Sequence, residues 1–191
     1  MDEKKLAAVL PLVGGAAFAL LGLSALWEAH GVILYARVLM AMLRSLLLVA
    51  SMGLVSFCLF TKRRDILPPV GFGLLALYSL LTVGGLSSLL ALAGWVLCAL
   101  ICFSVTTDKL PQFREMAAKL WFVPAILLGV SVAVTLWGLV SILGGFRLGV
   151  LRTLLSTFLR LVLEVGGTLA AMLWAVSPDG LSRNQKHLLD R

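Results

Sequence analysis

ILPPVGFGLLALYSLLTVGGLSSLLALAGWVLCALICFSVTT, residues 66 to 107, runs for 42 residues without a charged side chain. A helix crossing a hydrocarbon core of about 30 Å needs about 20 apolar residues, so this stretch is too long for one crossing and suited to two. Gly84-Gly85 lies near its middle and supplies the turn. A helical hairpin in lipid follows, with spans at 66–83 and 86–107.

Outward from this hairpin, four more segments have the length and apolar character of a crossing, at 6–27, 31–60, 118–143 and 147–176. The expected fold is therefore all-α, with six transmembrane helices in a single integral membrane domain, 1–191. Composition agrees. The chain is 61% apolar and 13% charged, against about 45–50% and about 25% in soluble domains. Loops this short leave no room for a soluble module. The 22 residues from Leu6 to Trp27 are uncharged, longer than a signal-peptide core, and no small-x-small cleavage site precedes Gly31, so the first helix is read as uncleaved. Cys58, Cys98 and Cys102 all fall inside spans, and an odd number of buried thiols argues against a disulfide framework.

Lys and Arg give the orientation. With six crossings, the side holding both termini collects Lys4, Lys5, Lys62, Arg63, Arg64, Lys109, Arg114, Lys119, Arg183, Lys186 and Arg191, which is 11 of 16. The positive-inside rule assigns that side, and both termini, to the cytoplasm of a multi-pass cell-membrane protein. The net charge of +7 reflects this bias and attraction to anionic lipid heads, so the bilayer is the expected partner and nucleic acid is not.

LPLVGG at Leu10–Gly15 and LPPVGF at Leu67–Phe72 match at an offset of 57, and Pro124 follows Pro68 by 56. Each proline is expected near the start of an odd-numbered helix, where its missing N–H costs little. Three tandem helical hairpins are the simplest arrangement, related by an axis along the membrane normal.

Charge inside this chain is rare enough to locate a candidate site. FRLGVLRTLLSTFLRLVLEVGG, residues 146–167, carries Arg147, Arg152, Arg160 and Glu164. Counting back from Ser177 at about 1.5 Å per residue, Glu164 lies about 20 Å from the cytoplasmic boundary and Arg160 about 25 Å. Arg160 can snorkel outward. Glu164 cannot escape the core, and an intramembrane carboxylate is costly unless paired, protonated or wet. Arg44 lies 17 residues before Thr61, as Arg160 lies 17 before Ser177, which puts both arginines at one depth.

At 100° per residue, Arg152, Ser156, Arg160, Glu164, Gly167, Ala171 and Ala175 share an arc of about 140° that should face protein, leaving Phe158, Val162, Leu169 and Met172 toward lipid. Gly167, Ala171 and Ala175 form a small-xxx-small seam for close helix approach. Two readings of the charges follow. In one, Arg160 and Glu164, with Arg44, neutralise each other and fix packing. In the other, Arg44, Arg160 and Glu164 floor an outward vestibule rimmed by Arg37, Arg147 and Arg152 and suited to a small anionic ligand.

Other features carry less. Cys98 and Cys102 share a helix face, but a tetrahedral metal site needs two further ligands, so no metal is expected. His30 beside Glu28 reads as a solvated loop histidine. Trp27, Trp137, Trp121 and Trp174 read as interfacial belts, and Trp95 and Tyr78 as interior. No HExxH, GxSxG, Walker loop or metal-spaced acidic pair is present, so neither catalytic residues nor a cofactor is expected.

DILPPVGFGLLALYSLL and KLWFVPAILLG resemble segments of small multi-pass membrane proteins of Gram-positive anaerobes, a resemblance that implies a membrane fold and no particular activity. Six helices in 20.5 kDa with basic cytoplasmic loops also look like the substrate-binding subunits of energy-coupling-factor vitamin transporters, in size and topology alone. Two functions are thus in view. One is a non-enzymatic structural or accessory subunit, associating with other membrane subunits or with itself. The other is a small-anion transporter or its substrate-binding subunit. If the far end of the last helix stands upright in water, a cysteine at Val150 reacts with a membrane-impermeant maleimide. Protection by lipid would mean that this segment lies along the surface.

Overall fold

The computed structural model describes residues 3–35, 39–63, 65–107, 119–142 and 148–176. These residues form α1 (Glu3–Tyr35), α2 (Leu39–Phe60), α3 (Leu67–Leu81), α4 (Leu86–Thr106), α5 (Val123–Ile142) and α6 (Leu148–Val176), with no strand among them. Five of the six are long and apolar enough to cross a membrane, and α3, with 15 residues, is the short one.

Local chemistry sets the bounds of α3. Pro68 and Pro69 occupy its first turn, where a missing N–H leaves no helical bond unmade. At its other end the Thr82 amide and hydroxyl both return to the Tyr78 carbonyl, at 3.1 and 3.0 Å. The Gly84-Gly85 turn follows, closed by Ser88, whose hydroxyl accepts from both glycine amides at 3.0 and 3.1 Å and donates to the Gly85 carbonyl at 2.8 Å.

Two expected boundaries are corrected. The first connection, expected at 28–30, is helical, because α1 continues to Tyr35. Glu28, Ala29 and His30 contain no helix breaker, and the single Gly31 costs only about 1 kcal/mol. The expected span at 66–83 shortens to Leu67–Leu81, because Thr82 and the paired glycines stop it. Pro11, expected near the helix start, lies two turns inside α1.

Close contacts fix how the helices run. On α1 and α2, Gly15 faces Phe60 and Gly22 faces Met52, whereas on α1 and α6, Gly14 faces Ala170 and Ala17 faces Gly167. In each pair the numbers rise on one helix as they fall on the other, which is antiparallel packing. Ser87 with Ser131 and Gly94 with Leu128 give the same result for α4 and α5. Sequential helices pack as neighbours throughout, α1 meets α6, and α4 touches α6 across the middle. The result is a closed ring with Glu3 and Val176 at one end, called here the near end. α2–α3 and α4–α5 are packed pairs like the others.

The α3–α4 turn does not reach the far end. Phe18, Phe72 and Trp95 meet with ring centroids 5.9 to 6.4 Å apart and mark a common level. At about 1.5 Å per residue, α3 rises about 14 Å from Phe72 to Leu81, while α1 rises about 26 Å from Phe18 to Tyr35. On α5, Ser131 donates to the carbonyl of Ser87 in the first turn of α4 at 2.6 Å, and the helix continues about 16 Å further to Ile142. The turn is recessed by about 10–15 Å between taller neighbours.

Packing below the turn is tight. A Cβ at Gly71 would approach Val55 Cγ2 to 2.7 Å, and one at Gly94 would approach Leu128 Cγ to 2.9 Å and the Pro124 carbonyl to 3.3 Å. Small residues of this kind let helix backbones approach in lipid. Gly94→Leu is expected to destabilise the bundle by about 1–3 kcal/mol, read as a lower melting temperature in detergent. Gly73→Ala, which meets nothing within 4 Å, should not lower that temperature.

Candidate functional site

Glu164 sits on the face of α6 that also buries Gly167, Thr168, Ala171 and Ala175. Arg160, one turn before it, donates from Nε to Glu164 Oε1 at 2.7 Å, and the two side chains are 47% and 7% exposed respectively. One end of the pair is therefore wet and the other dry. Arginine preceding glutamate is the weaker order for an i,i+4 pair, so what holds this contact is burial of the carboxylate, which has no water to turn to.

The pair opens on a cavity of about 260 Å³. Its upper wall is the recessed turn and its flanks, with Thr82, Ser87 and Ser88. The sides add Tyr78 and Ser79 from α3, Ser131 and Thr135 from α5, and Thr157 from α6, while Leu48, Met52, Leu75 and Trp95 make an apolar floor. A second cavity of about 190 Å³ lies between α1, α2 and α6, lined in part by Ser24, Glu28 and Ser156. Arg160, Thr157, Leu48 and Met52 line both, so the arginine stands in the partition.

Several hydroxyls in the main cavity are engaged with carbonyls. Thr135 donates to Ser131 at 3.0 Å and Thr157 to Thr153 at 2.8 Å. Others are not. Ser79 and Trp95 are each 4% exposed, and among the described residues neither the Ser79 hydroxyl nor the Trp95 indole N–H has a hydrogen-bond partner. The same holds for Glu164 Oε2 and the terminal nitrogens of Arg160. Buried polar groups without protein partners concentrate around this one space.

Of the candidate residues named from the sequence, Arg160 and Glu164 come together. Arg44 is exposed on α2 and Arg152 exposed on α6, and neither lines the cavity. Arg37 and Arg147 lie outside the described residues. His30 is an exposed residue of α1 rather than of a loop. Cys58, Cys98 and Cys102 are buried free thiols, and no cluster of three metal-ligating side chains occurs among the described residues. Met172, assigned to the lipid side, is fully buried, and Trp174, assigned to an interfacial belt, is 5% exposed. Toward the near end α6 packs over more than one face, against α1 and α5. Trp27 and Trp137 are exposed.

Sequence reasoning passed over the hydroxyl lining. Its signal was Ser79 with Thr82 and Ser131 with Thr135, each pair three or four residues apart and so on one helix face. No protein-family model matches the chain, and neither does any curated protein or solved structure.

Replacing either partner of the ion pair leaves the other without its counter-charge. Arg160→Gln and Glu164→Gln are each expected to lower the melting temperature, and the double variant to lose less than the two combined. A coupling of about 0.5–3 kcal/mol is expected. Additive losses would mean that the pair contributes nothing to stability.

Proposed function

We propose that this chain is a multi-pass membrane protein that binds a small polar solute at its centre, as a transporter or as its solute-binding subunit. The observation that carries the reading is the cavity of about 260 Å³ next to the Arg160–Glu164 pair, where buried polar groups lack protein partners. A merely structural ion pair needs no such space. Sites of this kind in membrane bundles sit near mid-depth, where interrupted or short helices let polar backbone face a cavity.

The topology proposed with it has six passes through the cell membrane, both termini cytoplasmic and the cavity opening outward. Its support is the charge bias, with Lys5, Lys62, Arg63 and Lys119 all at the near end. Three tandem hairpins remain the proposed origin of the ring, on the Pro-Gly matches at offsets of 57 and 56. The reading requires no catalysis, cofactor or nucleic acid.

One observation favours the accessory-subunit reading instead. An open groove between α5 and α6, lined by Ile126, Gly129, Val130, Val162 and Gly166, is almost wholly apolar. Glycines along such a groove would admit a helix of a partner subunit or of a second copy. Native mass spectrometry of protein extracted gently from its own membrane separates the two. A co-purifying small molecule that is lost on Ser79→Val supports solute binding, whereas a stoichiometric partner chain with lipid alone supports the accessory role.

A further inference from the structure

The geometry points to a zwitterion of amino-acid size, carrying a carboxylate and an ammonium on adjacent atoms, as the ligand of the Arg160–Glu164 cavity. This inference rests on the solute-binding reading and narrows it. Among the described residues lining the cavity, Arg160 and Glu164 are the only charged ones. The pair they form at 2.7 Å has no net charge, and Glu28, which acts on Arg160 from the neighbouring cavity, is exposed and screened by solvent. A simple anion would leave one negative charge in excess at a site whose carboxylate is 7% exposed, and a simple cation would leave one positive charge in excess. Either surplus is expensive in a medium that solvates charge poorly. A zwitterion adds one charge of each sign and keeps the balance.

Bonding capacity agrees with this. The Nε–Oε1 contact leaves Glu164 Oε2 to accept from an ammonium and the terminal guanidinium nitrogens to donate to a carboxylate. Four alternating charges then close on themselves, and the ion pair stays intact. The buried Ser79 hydroxyl and Trp95 indole N–H, both without partners among the described residues, are further donors for the carboxylate. Size and polarity set the rest of the molecule. At about 30 Å³ per water, the cavity holds the equivalent of about eight or nine waters, which is a solute of about that many heavy atoms. Below the charges, Leu48, Met52 and Leu75 offer an apolar wall to a side chain.

The test uses the full-length protein in lipid nanodiscs and calorimetric titration. The probes are the protein amino acids one at a time, then the deaminated acid and the decarboxylated amine of the tightest binder. The expected result is saturable binding of an amino acid at least about tenfold tighter than either single-charge analogue. Glu164→Gln should remove the preference over the acid, and Arg160→Gln the preference over the amine. Ser79→Ala should weaken binding while leaving the melting temperature unchanged, which guards against a variant that simply fails to fold. An acid that binds as tightly as its parent amino acid overturns the zwitterion and leaves the solute reading standing. If no amino acid, acid or amine binds to wild-type protein with an intact melting transition, the zwitterion falls, and the solute reading then stands or falls on whether native mass spectrometry finds a co-purifying small molecule.

Discussion

Backbone that is not helical cannot face lipid, because hydrocarbon offers its N–H and C=O groups nothing to bond. The short third helix turns this rule into the organising constraint of the bundle. With 15 residues α3 covers about 22 Å, less than a hydrocarbon core of about 30 Å. Its turn into α4 therefore falls inside the slab, where irregular backbone is tolerated only against protein or water. Ser88 satisfies the two glycine amides from within the turn, and Ser131 reaches across from α5 to the carbonyl of Ser87. The taller α2 and α5 flank the turn, while Val83, Gly84, Gly85 and Leu86 stay exposed, so its amides depend on Ser88 rather than on cover from neighbouring helices. The polar space next to it is the same space that lets Arg160 and Glu164 exist at this depth.

The aromatic cluster separates that wet half from a dry one. Phe18, Phe72 and Trp95 come from α1, α3 and α4, and Phe72 and Trp95 lie nearly parallel at 22°. Below them the core is ordinary membrane-helix packing, with glycines at backbone contacts and the Ser56 hydroxyl donating to the Gly15 carbonyl at 2.9 Å. Above them hydroxyls replace methyls. Trp95 belongs to both halves, packed on the cluster and lining the cavity.

Much of this was legible from residues alone, for reasons that differ by element. The α3–α4 hairpin could be read because two signals coincide, a long uncharged run and a glycine pair. The buried carboxylate could be read because depth along a helix is simple arithmetic. Polar residues after Trp27 suggest a loop, yet Glu28 and His30 are exposed residues of the continuous helix α1. Arg44 was placed level with Arg160 by counting from the near end. Arg44 shares a face of α2 with Leu48 and Met52 but lies one turn further along, and of the three only Leu48 and Met52 line the cavity. The hydroxyls were invisible as a group, since serines and threonines scattered over α3, α4, α5 and α6 become one lining only after the ring is closed.

That closure also sets an order in time. α1 buries Phe18 and packs Ala17 against Gly167 of α6, so the first helix to emerge finds its final neighbour only when the last has been synthesised. Contacts so far apart in sequence form late and leave earlier helices with unmatched faces in the meantime. The carboxylate of Glu164 arrives on that same last helix. The chain therefore meets its most expensive buried charge after the other walls of its cavity are in place, when a polar environment is already there to receive it.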